Sequence, residues 1–142
     1  MLKRLRLLQF GCAFAGLTLV LIPFQMIFLR FWPQGAVRLP VFYHRQLLRL
    51  LRVEAHPLDH SHIQRAKGPV LILSNHISWL DIVVLSSVMP LSFIAKSEVR
   101  DWPLFGFLAR LQKTVFVDRQ RRHKTGHSTQ EIAARMQAGD RM

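Results

Sequence analysis

Val70–Val88, VLILSNHISWLDIVVLSSV, is the stretch whose reading decides the fold. Its aliphatic opening, VLIL, gives out at Ser74, and after a polar break an apolar pattern resumes at Trp79 and runs to Val88. The short run reads as a buried strand, Val70–Leu73, and the longer one as a helix, Trp79–Val88. Ser78 and Asp81 have the S-x-x-D spacing of a helix N-terminus, where an acidic third residue also suits the helix dipole. His76 stands in the turn between them, five positions before Asp81.

The same rhythm continues outward. Ser92–Ala95 and Thr114–Val117 read as strands, and Trp102–Leu111 as a helix with Asp101 as N-cap and Pro103 in its first turn. A last helix, Thr129–Ala138, has Ser128 and Glu131 in capping-box spacing and Gly139 where a left-handed C-cap belongs. Short strands alternating with helices predict an α/β domain with a sheet flanked by helices. A helix closed by glycine normally leads into another strand, and Asp140, Arg141 and Met142 follow it.

At the other end, Leu7–Leu29, LLQFGCAFAGLTLVLIPFQMIFL, has no charged residue and the length a bilayer-spanning helix needs. Lys3, Arg4 and Arg6 precede it and Arg30 and Arg38 follow, so the positive-inside rule does not orient one crossing. Pro23 divides the stretch, leaving open two shorter helices that dip into one leaflet and return. A single span and a shallow hairpin both fit. Next, Val41–Arg52, VFYHRQLLRLLR, places Arg45, Arg49 and Arg52 on one helical face, either a solvated face over a core or a membrane-surface helix. Val53–Gly68 is polar; His56, Asp59, His60 and His62 match no metal-ligand spacing and read as loop. The organisation is thus a membrane anchor at 1–40, an amphipathic helix and loop at 41–68, and the α/β part at 69–142.

Composition narrows the partners. Twenty Lys and Arg against eight Asp and Glu give the 142-residue chain a formal net charge of +12, which calls for anionic partners. A nucleic-acid module is disfavoured, because the basic residues are scattered over several elements and no aromatic strand platform is present. Membrane lipids suit the apolar segment better. Cys12, the single cysteine, cannot pair within the chain.

His76 has two readings. It is a loop residue beside an ordinary helix cap, or it sits at the carboxyl end of a strand, where open α/β sheets place reactive groups. The two are compatible: an Asp in the first helical turn can reach back to an imidazole, fix its tautomer and stabilise the imidazolium. No nucleophile completes a covalent triad, since Cys12 lies in the apolar segment and the Ser78 hydroxyl is committed to the cap. Direct activation of a substrate hydroxyl is the more economical chemistry.

NHISWLD, followed by FIAKSEVRDWPLFGFLARL and TVFVDR, resembles the lysophospholipid acyltransferase family, which includes the 1-acylglycerol-3-phosphate acyltransferases. The likeness runs from about Val70 to Gly139 and rests on NH-x-S-x-x-D, AK-x-E and F-V-x-R in that order. It implies a glycerolipid-acyltransferase-type sheet in which His76 is the general base and Asp81 orients it. It also implies that Arg119 binds the acceptor's anionic headgroup with help from Lys96, and that Asn75 and Ser78 belong to the substrate site. The implied reaction moves an acyl group from acyl-CoA or acyl carrier protein to a lysophospholipid hydroxyl. The leading acceptor is 1-acylglycerol-3-phosphate, giving phosphatidic acid, and another lyso-lipid such as lyso-ornithine lipid is the alternative. No metal or other cofactor is implied, and the implied location is the cytoplasmic face of a bacterial inner membrane. A non-catalytic membrane-surface protein retaining the motif is the bland alternative. Arg121, Arg122 and Lys124 read as solvated or lipid-facing, and Trp79 and Trp102 as packing or membrane-interface residues.

The chain departs from the family pattern twice. Lys113 stands where the second block normally begins with glycine, and the Phe-Pro-Glu-Gly-Thr block would begin beyond Met142. The resemblance therefore implies the N-terminal part of an acyltransferase, with little activity expected of these residues alone.

Overall fold

A computed structural model describes residues 2–56, 65–66, 68–118 and 122–142. The chain divides into two compact units, 1–57 with 76–90 and 58–75 with 91–142.

The first unit is helical: α1 (Leu2–Phe31), α2 (Pro33–Leu51) and α3 (Leu80–Val88). At 1.5 Å per residue α1 is about 45 Å long, more than the ~30 Å of a hydrocarbon core. Among the described residues it is the one helix long and apolar enough to cross a membrane, and Leu19, Val20, Phe24, Met26 and Ile27 are exposed along it. Of the two arrangements left open at Pro23, the unbroken helix is the one observed, for α1 runs through the proline. Proline removes one amide donor but keeps a helical φ, so a propagating apolar helix tolerates it. The reversal comes at Trp32, extended at φ −143°, ψ 79°, with Pro33 opening α2 where no amide donor is needed. α2 therefore starts eight residues before Val41.

Polar residues decide which face of α1 meets α2. Thr18 and Gln25 are buried. The Thr18 hydroxyl lies 2.9 Å from that of Tyr43, and Gln25 Nε2 donates to the Ala36 carbonyl at 2.9 Å. Pro40 sits four residues after Ala36 and has no N–H for that carbonyl, so the glutamine occupies the bond the proline forfeits. α2 also packs on α3 through Leu47, Leu48 and Val83. Arg45, read as part of a basic face, donates through Nε to the Ser87 carbonyl at 2.8 Å, near the end of α3 where carbonyls lack helical partners. Arg49 is exposed. Burial holds His44 below the ordinary imidazole value of 6.5.

The second unit holds the sheet, β1 (Ile94–Lys96) and β2 (Val115–Val117), paired in parallel with Ile94 opposite Val115 and Lys96 opposite Val117. Between them come a 3-10 helix at Ser97–Asp101 and α4 (Phe105–Leu111), and α5 (Arg122–Gln137) follows β2. The α/β reading holds, with helix the larger share. The expected strand at Val70–Leu73 is reduced to a bridge from Val70 to Arg141, flanked by Ile72 N–H donating to the Met142 carbonyl at 2.6 Å. Its described partner, Arg141 and Met142, is too short for a ladder. The Arg141 carbonyl also accepts the Ser92 N–H at 2.9 Å, so 141–142 lie between the 70–72 and 92–96 segments.

Two expected helix starts move. Trp102 precedes proline and is extended at ψ 130°, and Leu104 adopts φ 59°, ψ −56° with Phe105 N–H donating to the Pro103 carbonyl at 2.6 Å, a γ-turn. α4 thus begins at Phe105, and Asp101 ends the 3-10 helix instead of capping α4. Gly106 is obligatory there, because a Cβ would collide with the Arg100 carbonyl oxygen. α5 begins at Arg122, so Ser128 and Glu131 lie inside it; extending a helix costs less than starting one. Its end is as expected. Gly139 has φ 97°, its N–H bonds Met136 O, and the Asp140 N–H bonds Arg135 O.

Candidate active site

His76, Ser78 and Asp81 fall in the first unit, and each is placed by the start of α3. The Ser78 hydroxyl accepts the Leu80 N–H at 3.2 Å, and Trp79 already has helical dihedrals, so Ser78 acts as the capping residue. Asp81, in the first turn, returns its carboxylate over the entry loop. Its Oδ2 accepts the N–H of Ile77 at 2.7 Å, the N–H of Ser78 at 2.9 Å and His76 Nδ1 at 3.2 Å. The backbone donors from Ser78 and Ile77, and after them His76, hold the Asp81 carboxyl below the ordinary 3.8.

An ionised carboxylate only accepts hydrogen bonds, so Nδ1 of a neutral His76 carries the proton and Nε2 keeps its lone pair. The side chain is 65% exposed, against 30% for Asp81. The result is an imidazole of fixed tautomer, open to a ligand and backed by an anion. Such a group can take a proton from a hydroxyl and keep the resulting imidazolium beside a negative charge. Ser78 retains its own O–H to donate, since the cap uses only a lone pair of that oxygen.

The other candidates belong to the second unit. Asn75 and Lys96 are exposed, Lys96 at the end of β1 opposite Val117. Arg119, two residues beyond Val117, lies outside the described residues, as do Asp59, His60 and His62. Among the described residues no three His, Cys, Asp or Glu side chains are grouped to hold a metal ion.

Sequence reasoning passed over two residues, one in the His76–Asp81 loop and one that holds the second unit together. Ile77 enters through its backbone N–H, which any residue type supplies. Arg135 joins three segments of the second unit: Nε pairs with Asp140 at 2.9 Å, Nη1 donates to the Lys113 carbonyl at 2.6 Å and Nη2 to the Ser92 hydroxyl at 2.8 Å. Only folding brings those partners together. The sequence did flag Lys113, which stands in for a glycine and has φ 56°, the left-handed region that favours glycine.

Comparison with known proteins gives these residues a context. Residues 52–142 match a family model described as Acyltransferase. The chain is 50% identical over its whole length to 52% of the lyso-ornithine lipid O-acyltransferase of Brucella abortus (strain 2308). It is 41% identical over 99% of its length to 47% of the protein of that name from Rhizobium meliloti (strain 1021). Over 49% of the chain it is 40% identical to 28% of a 1-acyl-sn-glycerol-3-phosphate acyltransferase of Neisseria gonorrhoeae. The chain spans about half the length of the first two relatives. No solved structure matches it. With the family model covering the His76–Asp81 loop, both strands and α5, the chain belongs to the acyltransferase family.

Proposed function

We propose that this protein is a membrane-associated O-acyltransferase in which His76 deprotonates the free hydroxyl of a lyso-lipid. The hydroxyl oxygen attacks the carbonyl carbon of an acyl thioester, and its proton passes to Nε2. The tetrahedral intermediate collapses with cleavage of the C–S bond, and the departing thiolate takes the proton back from the imidazolium. Asp81 keeps Nδ1 protonated and faces the charge on the ring. The donor is acyl-CoA or acyl carrier protein, which puts the site on the cytoplasmic side. The observation carrying this reading is Asp81 Oδ2, which fixes the loop backbone and the imidazole with one oxygen.

Lyso-ornithine lipid is the favoured acceptor, because the relatives named for it align from end to end of this chain. The relative named for 1-acylglycerol-3-phosphate aligns over half of it and keeps that lipid as the second reading. Lys96 and Arg119 supply cations for either acceptor, a carboxylate in the one and a phosphate in the other. Asn75 and Ser78 supply hydrogen bonds to the bound lipid.

The test is transfer of labelled acyl groups by membranes from cells expressing the protein, with the two acceptors offered separately. His76→Ala is expected to lower transfer by about 10²–10⁴-fold with membrane binding unchanged. Equal transfer by wild type and His76→Ala would sink the proposal, and transfer to 1-acylglycerol-3-phosphate alone would reverse the choice of acceptor.

A further inference from the structure

We propose that Arg45 is a positioning residue for the His76–Asp81 pair: by holding the carboxyl end of α3, it sets where the first turn of that helix carries Asp81. This rests on the reading of His76 as the base. Arg45 stands on α2, and its Nε donates to the Ser87 carbonyl at 2.8 Å. Asp81 lies near the opposite end of the same nine-residue helix. All four residues fall in the first unit. Along the middle of α3, Val83 packs against Leu47 and Leu48, with Leu80 and Val84 beside it. Such burial is non-directional; it keeps two helices together but lets one tilt on the other. The bond from Arg45 is directional, and it reaches a carbonyl in the last turn, where helical donors run out. Ser87 is 5% exposed, so water is a poor substitute for that donor.

Helix geometry turns a small slip into loss of the pair. Ser87 comes four residues after Val83 and Asp81 two before it, which is about 6 Å and about 3 Å along the axis. A tilt about Val83 that shifts Ser87 by ~1 Å moves Asp81 by ~0.5 Å. His76 Nδ1 and Asp81 Oδ2 stand 3.2 Å apart, at the long edge of the hydrogen-bonding range, so a slip of that size releases the imidazole. The Ile77 and Ser78 amides, at 2.7 and 2.9 Å, have room to follow the carboxylate. Freed from Asp81, the neutral ring no longer has to carry its proton on Nδ1, and the tautomer protonated on Nε2 has no lone pair to offer a hydroxyl there.

Two substitutions separate the bond from the charge. Glutamine carries an uncharged N–H donor at the same step along the side chain as arginine's Nε, whereas methionine keeps the aliphatic stem with no donor. The full chain, labelled with 15N-histidine in phosphatidylcholine nanodiscs, reports the His76 tautomer in alkaline buffer, with His76→Ala assigning the signals; this readout needs no turnover. Arg45→Met, at an exposed position, should populate the tautomer protonated on Nε2 and lower kcat for acyl transfer about tenfold at unchanged KM, with far-UV circular dichroism as in wild type. Arg45→Gln should rescue both readouts, and Arg49→Met, which removes an exposed charge one turn along α2, should move neither. A wild-type tautomer in Arg45→Met, with only a lower melting temperature, would reduce Arg45 to a structural tie and overturn the proposal. Equal effects of Arg45→Met and Arg45→Gln would assign the role to charge and overturn it too. A changed tautomer with transfer at the wild-type rate would uphold the positioning and sink His76 as the base.

Discussion

Asp81 carries more of the site than its single charge indicates, because one oxygen serves a histidine and two backbone amides. An amide in its place could still accept hydrogen bonds but would remove the anion that faces the imidazolium. Asp81→Asn should therefore cut turnover by about 10³-fold while far-UV circular dichroism stays near wild type. The carboxyl also has a pH signature. With the folded value depressed, its contribution to stability is complete above the ordinary 3.8 and fades as pH falls through the lower folded value. The Asp81 carboxyl carbon shift, followed by NMR, should titrate below 3.8, and a midpoint at or above that figure would contradict the three-donor arrangement. This part of the site was legible because its partners lie within five residues of one another. Arg135 was not legible, since its bonds to Lys113 and Ser92 span 22 and 43 residues and no local pattern encodes them.

At the scale of elements, helix ends separate what spacing reveals from what it hides. The Gly139 terminus was readable because glycine advertises a left-handed backbone. α2 and α4 end in the same geometry on Arg52 and Lys113, at φ 57° and 56°, where the residue type gives no warning. A side chain there costs roughly 1–2 kcal/mol, and glycine loses part of that gain through its freer unfolded chain. Lys113→Gly should stabilise the protein by about 0.5–1 kcal/mol in denaturant melts, since the exposed side chain gives up little. The start of α4 was misplaced for the opposite reason: proline acted on the residue before it. Between α1 and α2, Gln25→Leu should cost about 1–3 kcal/mol by stripping the Ala36 carbonyl of its donor. In a Pro40→Ala background the restored N–H can take that carbonyl, so the cost should shrink. A double-mutant cycle in detergent measures the coupling, and additive costs would refute the exchange.

For the whole molecule, the proposed membrane association assigns the attachment to α1, long and apolar enough to cross a bilayer, and not to the charge of +12. Electrostatic binding weakens as the Debye length falls to about 3 Å at 1 M salt, whereas apolar burial does not. The chain should stay in the membrane pellet through a 1 M salt wash and leave it in detergent; release by salt alone would return the role to the basic residues. The long apolar helix was plain in the sequence because length and hydropathy are additive along the chain. Its pairing with α2 was not, because the polar residues that choose the packed face are few.

Since the Asp81 carboxylate is held in place by the first turn of α3, forming that turn and readying the proposed base are one event. Helix termini open far more often than proteins unfold. Mild denaturant or heat should then disable the proposed base while most of the chain is still folded, and a lipid that settles over the entry loop would hold its own catalyst in the working state.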